Sequence, residues 1–133
     1  MTRLVLDASA AVALVLGRHP EAQATIELME EAEVVLAPRF YWSEVANALW
    51  KYVRRSALSE AAAIAGLDQA SAIIDEAVDD ELLSTEALVV AIRFDHPVYD
   101  ALYAVLARRR GAAVITLDRR LRSLLRKMRV DAV

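Results

Sequence analysis

Apolar residues are arranged along the chain in two ways, as short β-branched runs and as longer stretches with helical spacing. Leu4-Val5-Leu6 and Ala113-Val114-Ile115-Thr116-Leu117 have the length and composition of buried strands. Longer segments carry apolar residues three and four positions apart, as amphipathic helices do. The pattern predicts five strands, at 3–6, 33–36, 82–84, 112–117 and near 129–131. It predicts seven helices, at 9–16, 20–32, 38–55, 59–77, 85–95, 98–110 and 118–127.

Strands that alternate with helices are typical of a parallel sheet covered by helices on both faces. We therefore expect an α/β fold, a three-layer α/β/α sandwich with a mostly parallel central sheet. Pro20, Pro38 and Pro97 fall at predicted helix starts, where a missing amide donor costs least. No repeat, low-complexity tract or Ser/Gly-rich linker divides the sequence, so we expect one domain over residues 1–133.

Composition narrows the class of protein. The chain contains no cysteine, which excludes a disulfide framework and a thiolate zinc site and is compatible with a reducing compartment such as the cytoplasm. Asp7 interrupts the apolar N-terminal run, and no uncharged run reaches the roughly 18 residues of a spanning helix. We therefore expect no membrane segment. The apolar fraction of 57% is high for a small chain and predicts apolar surface for a partner, such as a second copy in a homodimer.

Four acidic residues stand at positions where a carboxylate would point inward. Asp7 follows the first predicted strand and Asp118 follows the fourth, so both should lie at the carboxyl edge of a parallel sheet, where ligands bind. Glu44 and Asp100 interrupt the apolar faces of predicted helices. Carboxylates that are brought together repel one another unless a cation or a proton lies between them. Oxygen ligands without His or Cys suit Mg²⁺ or Mn²⁺.

Taken singly, three of these acids have a structural explanation. Asp7 could cap the helix that follows it, and Asp100 and Asp118 could lie in first helical turns, where negative charge is favoured. Glu44 is different, because it lies in mid-helix with no basic residue one turn later, and an unpaired buried carboxylate is costly. The sequence lacks the motifs of acyl transfer and of nucleotide binding, since it has no Gly-x-Ser-x-Gly elbow and no phosphate-binding glycine loop. We interpret His96 as a helix-entry residue.

Basic residues are concentrated in the C-terminal part of the chain, although the net charge is −3. Three of them, Arg119, Arg120 and Arg122, follow Asp118 closely and are our candidates for binding RNA. A basic edge beside a carboxylate cluster could hold a phosphate backbone next to a metal ion. The alternative for any such charge run is a solvated helix face.

The four acids lie in segments that together resemble a known family. The segments are Leu4-Val5-Leu6-Asp7-Ala8-Ser9-Ala10, Ser43-Glu44-Val45-Ala46-Asn47-Ala48-Leu49, Tyr99-Asp100-Ala101-Leu102-Tyr103 and Thr116-Leu117-Asp118-Arg119-Arg120-Leu121. They resemble the four acidic motifs of PIN-domain ribonucleases, in the order and approximate spacing of that family. The size and the extent over nearly the whole chain are similar to the VapC toxins of bacterial and archaeal toxin–antitoxin pairs.

The resemblance implies a compact α/β sandwich and a magnesium- or manganese-dependent endoribonuclease that leaves a 5′-phosphate and a 3′-hydroxyl. It also implies a homodimer that is neutralised by a VapB-type antitoxin. Carried over residue by residue, Asp7, Glu44, Asp100 and Asp118 become the catalytic, metal-binding acids. Ser9 and Thr116 match small hydroxyl positions that line the site, although Thr116 could equally be an ordinary β-branched strand residue.

Two other functions are compatible with the same residues. One is a PIN-like interaction module that has lost catalysis. The other is a magnesium-binding regulatory domain of the receiver kind, which would need paired acids near the first strand and a lysine after the last. The sequence shows neither of those two features.

Overall fold

Four short strands form a parallel sheet in the computed structural model, which describes residues 2–133. The strands are β1 (Arg3–Leu6), β2 (Val34–Pro38), β3 (Glu76–Val78) and β4 (Ala113–Ile115). The helices of the described chain are α1 (Ala8–Val15), α2 (Ala22–Glu31), α3 (Tyr41–Arg54), α4 (Glu60–Ile73), α5 (Asp80–Phe94), α6 (Val98–Arg110) and α7 (Arg119–Met128). The strand order is β3-β2-β1-β4.

The central position of β1 explains its apolar sequence. Leu4, Val5 and Leu6 are all fully buried, because a strand inside a parallel sheet is covered on both faces. In the register of the sheet, Leu6 of β1 lies opposite Ile115 of β4. The next residue of each strand therefore leaves the sheet at the same edge, which brings two distant parts of the chain together.

Helices cover this sheet. Helix α6 contacts β1, β2 and β4 and packs against α5 and α7, and its segment 101–107 is buried throughout. Helices α1, α3 and α4 pack against one another. The predicted α/β fold with a parallel sheet is confirmed. Within residues 2–133, every helix is too short or too polar to cross a bilayer.

Two of the predicted strands are wrong. Residues 82–84 lie inside α5, and the third strand is instead β3, at the edge of the sheet. The apolar pair Leu82-Leu83 resembles part of a buried strand. Strand β3 is only three residues long and begins with Glu76, so its sequence lacks the apolar run that predicts a strand. The predicted strand near 129–131 is also absent: α7 ends at Arg129 in a left-handed conformation, and only Ala132 forms an isolated bridge, to Val114.

Several predicted helix boundaries are wrong by a few residues. Pro38 is the last residue of β2 rather than a helix start, and Pro20 precedes α2 by two residues. Pro97 does lie at a helix start, as the residue before α6. The helix predicted at 59–77 ends at Ile73, since the chain must turn there to reach β3. The strand predicted at 112–117 stops at Ile115, which leaves Thr116 just beyond the sheet.

Candidate functional site

An acidic pocket of about 170 Å³ opens at the carboxyl edge of the sheet. All four acids predicted from the sequence line it: Asp7, Glu44, Asp100 and Asp118. They come from four different places in the fold. Asp7 joins β1 to α1, Asp100 lies in the first turn of α6, and Asp118 precedes α7. Glu44 lies in the first turn of α3 and not in mid-helix as predicted, because α3 begins at Tyr41.

Asp7 is the most buried of the four acids, with only 3% of its surface exposed. It caps α1 by accepting a hydrogen bond from the Ala10 amide at 2.9 Å. Its two carboxylate oxygens also accept hydrogen bonds from hydroxyl groups, Oδ1 from Ser9 at 2.8 Å and Oδ2 from Thr116 at 2.5 Å. Burial raises the pKa of Asp7 to about 6, and these hydrogen bonds oppose the shift while the Asp118 charge adds to it.

Thr116 and Ser9 connect Asp7 to the loop that carries Asp118. The Thr116 hydroxyl donates to Asp7 and accepts a hydrogen bond from the Asp118 amide at 2.9 Å. The Ser9 hydroxyl accepts one from the Leu117 amide at 3.1 Å. Thr116 is 1% exposed. Its buried hydroxyl makes hydrogen bonds to both Asp7 and the Asp118 amide, which a valine of the same shape could not make. The Asp118 carboxylate in turn caps α7 by accepting from the Arg120 and Leu121 amides.

Glu44 faces the pocket from α3 and is held by Tyr103. The Tyr103 hydroxyl donates to Glu44 Oε1 at 2.8 Å. Burial raises the pKa of Glu44 to about 7; the hydrogen bond from Tyr103 opposes this shift, and the neighbouring Asp7, Asp100 and Asp118 charges increase it. Glu44 therefore titrates close to neutral pH, and its Oε2 atom is not engaged by Tyr103.

One carboxylate oxygen of Asp100 is buried and could accept a hydrogen bond or bind a cation. In the part of the chain that the structure describes, its Oδ2 atom is one of two buried side-chain polar atoms without a hydrogen-bond partner; the other is His96 Nδ1. Burial raises the pKa of Asp100 and the Asp118 charge adds to this, whereas the nearby Arg120 and His96 oppose it. A buried oxygen without a partner is costly unless a ligand or water meets it.

The four acids share a pocket without being neutralised by basic side chains. Across residues 2–133, no salt bridge joins any of them to Lys or Arg. In the same residues, no three Asp, Glu or His side chains are close enough together to hold a metal ion.

The predicted basic edge is divided between two ends of the molecule. Arg119 and Arg120 are exposed at the start of α7, next to the acids. Arg122 uses its guanidinium to donate to the Thr116 and Val133 carbonyls. Three other arginines lie at the far end of α6 and pair with glutamates: Arg108 and Arg109 with Glu86, and Arg110 with Glu76.

Tyr103 is the site residue that sequence reasoning missed. It is 2% exposed, as a core aromatic residue would be, but its hydroxyl reaches Glu44 and its side chain lines the pocket. Phe40 packs against its ring, with centroids 5.2 Å apart. The signal was the spacing of Asp100 and Tyr103, because residues three apart lie on the same helix face.

The fold agrees with comparisons to known proteins. The sequence model of the PIN domain matches residues 4–127. The chain belongs to the PIN domain family, as this match over most of its length shows.

Individual relatives extend the comparison. The chain is 33% identical to Ribonuclease VapC3 of Pyrobaculum aerophilum, over 90% of this chain and 92% of that protein. The crystal structure of PAE2754 from the same organism superposes with a TM-score of 0.74 at 28% identity, covering 92% of this chain and 79% of the other. VapBC2 from Rickettsia felis, crystallised with a DNA fragment from its promoter, matches with a TM-score of 0.70 over 99% and 98% of the chains. At 13% identity, that last match concerns the fold alone.

Proposed function

We propose that this protein is a divalent-metal-dependent endoribonuclease that hydrolyses RNA phosphodiester bonds at the acidic pocket. The observation that carries the proposal is the convergence of four acids, from four separate elements, on one pocket in which no basic side chain of residues 2–133 forms a salt bridge with them. Membership of the PIN domain family and 33% identity to a protein named a ribonuclease support the same activity.

The chemistry of the pocket fits Mg²⁺ or Mn²⁺. Its donor groups are carboxylate oxygens, the ligands that these cations prefer, and Asp100 Oδ2 is a buried acceptor without a partner. Asp7, Glu44, Asp100 and Asp118 would hold the cation, with small side-chain movements to close the gaps between them. When bound, such a cation lowers the pKa of its water and offsets charge on the phosphoryl oxygens.

The side chains of this protein have distinct parts in the proposed reaction. Ser9 and Thr116 fix both oxygens of Asp7, so that carboxylate is oriented before substrate arrives. Glu44 is our candidate to accept a proton from the attacking water, because Tyr103 engages only its Oε1 atom and leaves Oε2 to face the pocket. Tyr103 holds the other oxygen of Glu44 in place. The products that we expect are a 5′-phosphate and a 3′-hydroxyl.

In the cell we propose a toxin of the VapC type, neutralised by a VapB-type antitoxin and acting in the cytoplasm. The proposal rests on the motif resemblance and on the VapC name of the relative. A homodimer belongs to the same proposal, since α5 exposes Leu88 and Ile92 at 52% and 72%. Light scattering that gives a monomeric mass at micromolar concentration would count against the dimer.

A catalytically inactive PIN-like interaction module is the second candidate. One observation favours it: no three acidic side chains in the described residues are yet close enough for a metal ion. Such a module would use the same fold to bind its partner without any chemistry at the pocket.

The Asp7→Asn variant separates the two functions. We expect purified Asp7→Asn to lose RNA cleavage by about 100-fold or more, because it removes a negative ligand oxygen from the deepest acid. Its expression should no longer inhibit growth, and it should still bind the antitoxin. The interaction module is supported instead if the wild-type protein cuts no RNA and if wild type and Asp7→Asn have the same effect on growth.

A further inference from the structure

Lys127 lies against His96 rather than against a carboxylate. Its Nζ atom is 3.4 Å from His96 Nε2. An ammonium group only donates hydrogen bonds, so Nε2 must accept and Nδ1 must carry the ring hydrogen. His96 immediately precedes Pro97 and α6, one turn before Asp100. The Lys127 ammonium therefore lies against the residue that leads into α6 and Asp100.

Arg120 belongs to the same face of α7. Lys127 is seven positions after Arg120, which is about two helical turns and an axial distance of about 10 Å. Arg120 is exposed, and it is near enough to Asp100 to influence its pKa. In residues 2–133, neither Arg120 nor Lys127 forms a salt bridge.

Three arginines of α6 are less available to an anion. Arg108 and Arg109 share Glu86, Arg110 pairs with Glu76, and all three lie at the end of α6 that is remote from Asp100. The helix between Asp100 and Arg110 spans about 15 Å. With a net charge of −3, the protein cannot attract RNA by its overall charge, so local cations must supply the attraction.

We propose that Arg120 and Lys127 form a phosphate-binding subsite that holds the RNA backbone next to the scissile phosphodiester, and that His96 positions the Lys127 ammonium. This inference rests on the proposed nuclease function and extends it from the acids to the path of the substrate. Arg120 lies at the end of α7 that is next to Asp118, and Lys127 lies two turns further along the same helix. One phosphate therefore lies at the acids while its neighbours along the strand meet Arg120 and Lys127. Contacts of this kind carry no sequence preference.

The test measures binding of a fluorescein-labelled oligouridylate by fluorescence anisotropy in Mg²⁺. All variants carry Glu44→Gln, so that the RNA stays intact during the measurement. Arg120→Gln and Lys127→Gln should each weaken binding about two- to five-fold, the range of an exposed ion pair. Each should also reduce the slope of log affinity against log salt, measured between about 50 and 200 mM, by roughly 0.7, the value for one phosphate contact on a single strand.

Arg126→Gln is the matched control, because Arg126 is an exposed cation on the same helix and the substitution changes the net charge equally. It should leave the salt slope unchanged. The proposal is overturned if Arg120→Gln and Lys127→Gln keep the wild-type slope, or if Arg126→Gln lowers it as much as they do. RNA cleavage by the protein without Glu44→Gln is assayed in parallel, so a failed subsite is distinguished from a failed nuclease assignment.

The positioning role of His96 has its own readout. His96→Ala should weaken oligouridylate binding when Lys127 is present and have no further effect in the Lys127→Gln background, because the two residues then act through one contact. Equal losses in both backgrounds would overturn this role of His96, since the effect would then be independent of Lys127.

Discussion

Thr116 Oγ1 donates a hydrogen bond to Oδ2 of Asp7, and this contact joins residues 109 positions apart in the chain. It exists because Leu6 and Ile115 lie side by side in the β1–β4 pair, so the residues that follow them leave the sheet together. The same hydroxyl accepts from the Asp118 amide. One buried side chain therefore sets the positions of two acids of the pocket.

Replacing Thr116 by Val should destabilise the protein and disturb Asp7. The shape is kept, but Asp7 Oδ2 and the Asp118 amide both lose a partner, at a cost of about 1–3 kcal/mol. The pKa of Asp7 should rise further, because the lost hydrogen bond opposes the effect of burial. Urea unfolding measures the loss of stability.

Thr25→Val is the control, since Thr25 is a second buried threonine, on α2 and away from the acids. We expect it to cost less than Thr116→Val and to leave RNA cleavage unchanged. Equal costs for the two substitutions, with equal activity, would show that the Thr116 hydroxyl has no special part in the site.

Tyr103→Phe should change the pH dependence of cleavage rather than its maximum. The Tyr103 hydroxyl lowers the pKa of Glu44, so its removal should move the acidic limb of the profile to higher pH. A net hydrogen bond of about 0.5–1.5 kcal/mol corresponds to a loss of roughly two- to twelve-fold on the acidic limb. Rates from weakly acidic to alkaline pH measure the change.

For that measurement the matched control is Tyr52→Phe. Tyr52 lies on α3 like Glu44, but its ring packs under Arg18 at the other end of the helix. Its pH profile should coincide with that of the unsubstituted protein. A Tyr103→Phe profile that also coincides would contradict the part assigned to Tyr103.

The buried acids should make the metal-free protein less stable as the pH rises. Asp7 keeps its proton up to a pKa of about 6, whereas the unfolded chain releases it near 3.8. Between these values the folded state binds more protons, so the free energy of unfolding falls with rising pH, by at most about 3 kcal/mol from Asp7. Glu44 acts in the same direction up to pH about 7.

Comparison of wild type with Asp7→Asn isolates this effect, because other titrating groups are common to both. In urea unfolding with chelator, the decline in stability between about pH 4 and 6 should be smaller in Asp7→Asn. The idea fails if both proteins lose stability equally. Mg²⁺ should raise the stability of the wild type above pH 7, and should raise that of Asp7→Asn less.

Sequence reasoning located the four acids because each interrupts a strong local pattern. Asp7 and Asp118 follow β-branched apolar runs, and Glu44 and Asp100 lie among apolar helix residues, so the parallel sheet was enough to bring the first two together. The pocket that all four line agrees with that expectation.

Other features depend on contacts that no local pattern carries. The edge strand β3 is held by tertiary bonds, such as those from the Arg39 amide to the Val78 carbonyl and from the Val35 amide to Asp75. The pairing of Arg108, Arg109 and Arg110 with glutamates of other elements likewise appears only in three dimensions. For that reason the basic C-terminal part looked uniform in the sequence, yet among its arginines Arg119 and Arg120 lie at the start of α7 beside Asp118, whereas Arg108, Arg109 and Arg110 are paired at the far end of α6.

Cleavage of RNA by the purified protein, with and without excess chelator, tests the central claim most directly. We expect no cleavage when chelator is present, recovery when Mg²⁺ or Mn²⁺ is added beyond it, and no recovery in Glu44→Gln. The expected products carry a 5′-phosphate. Undiminished cleavage in excess chelator, or full activity of Glu44→Gln, would contradict the assignment of the acidic pocket as a metal-dependent nuclease site.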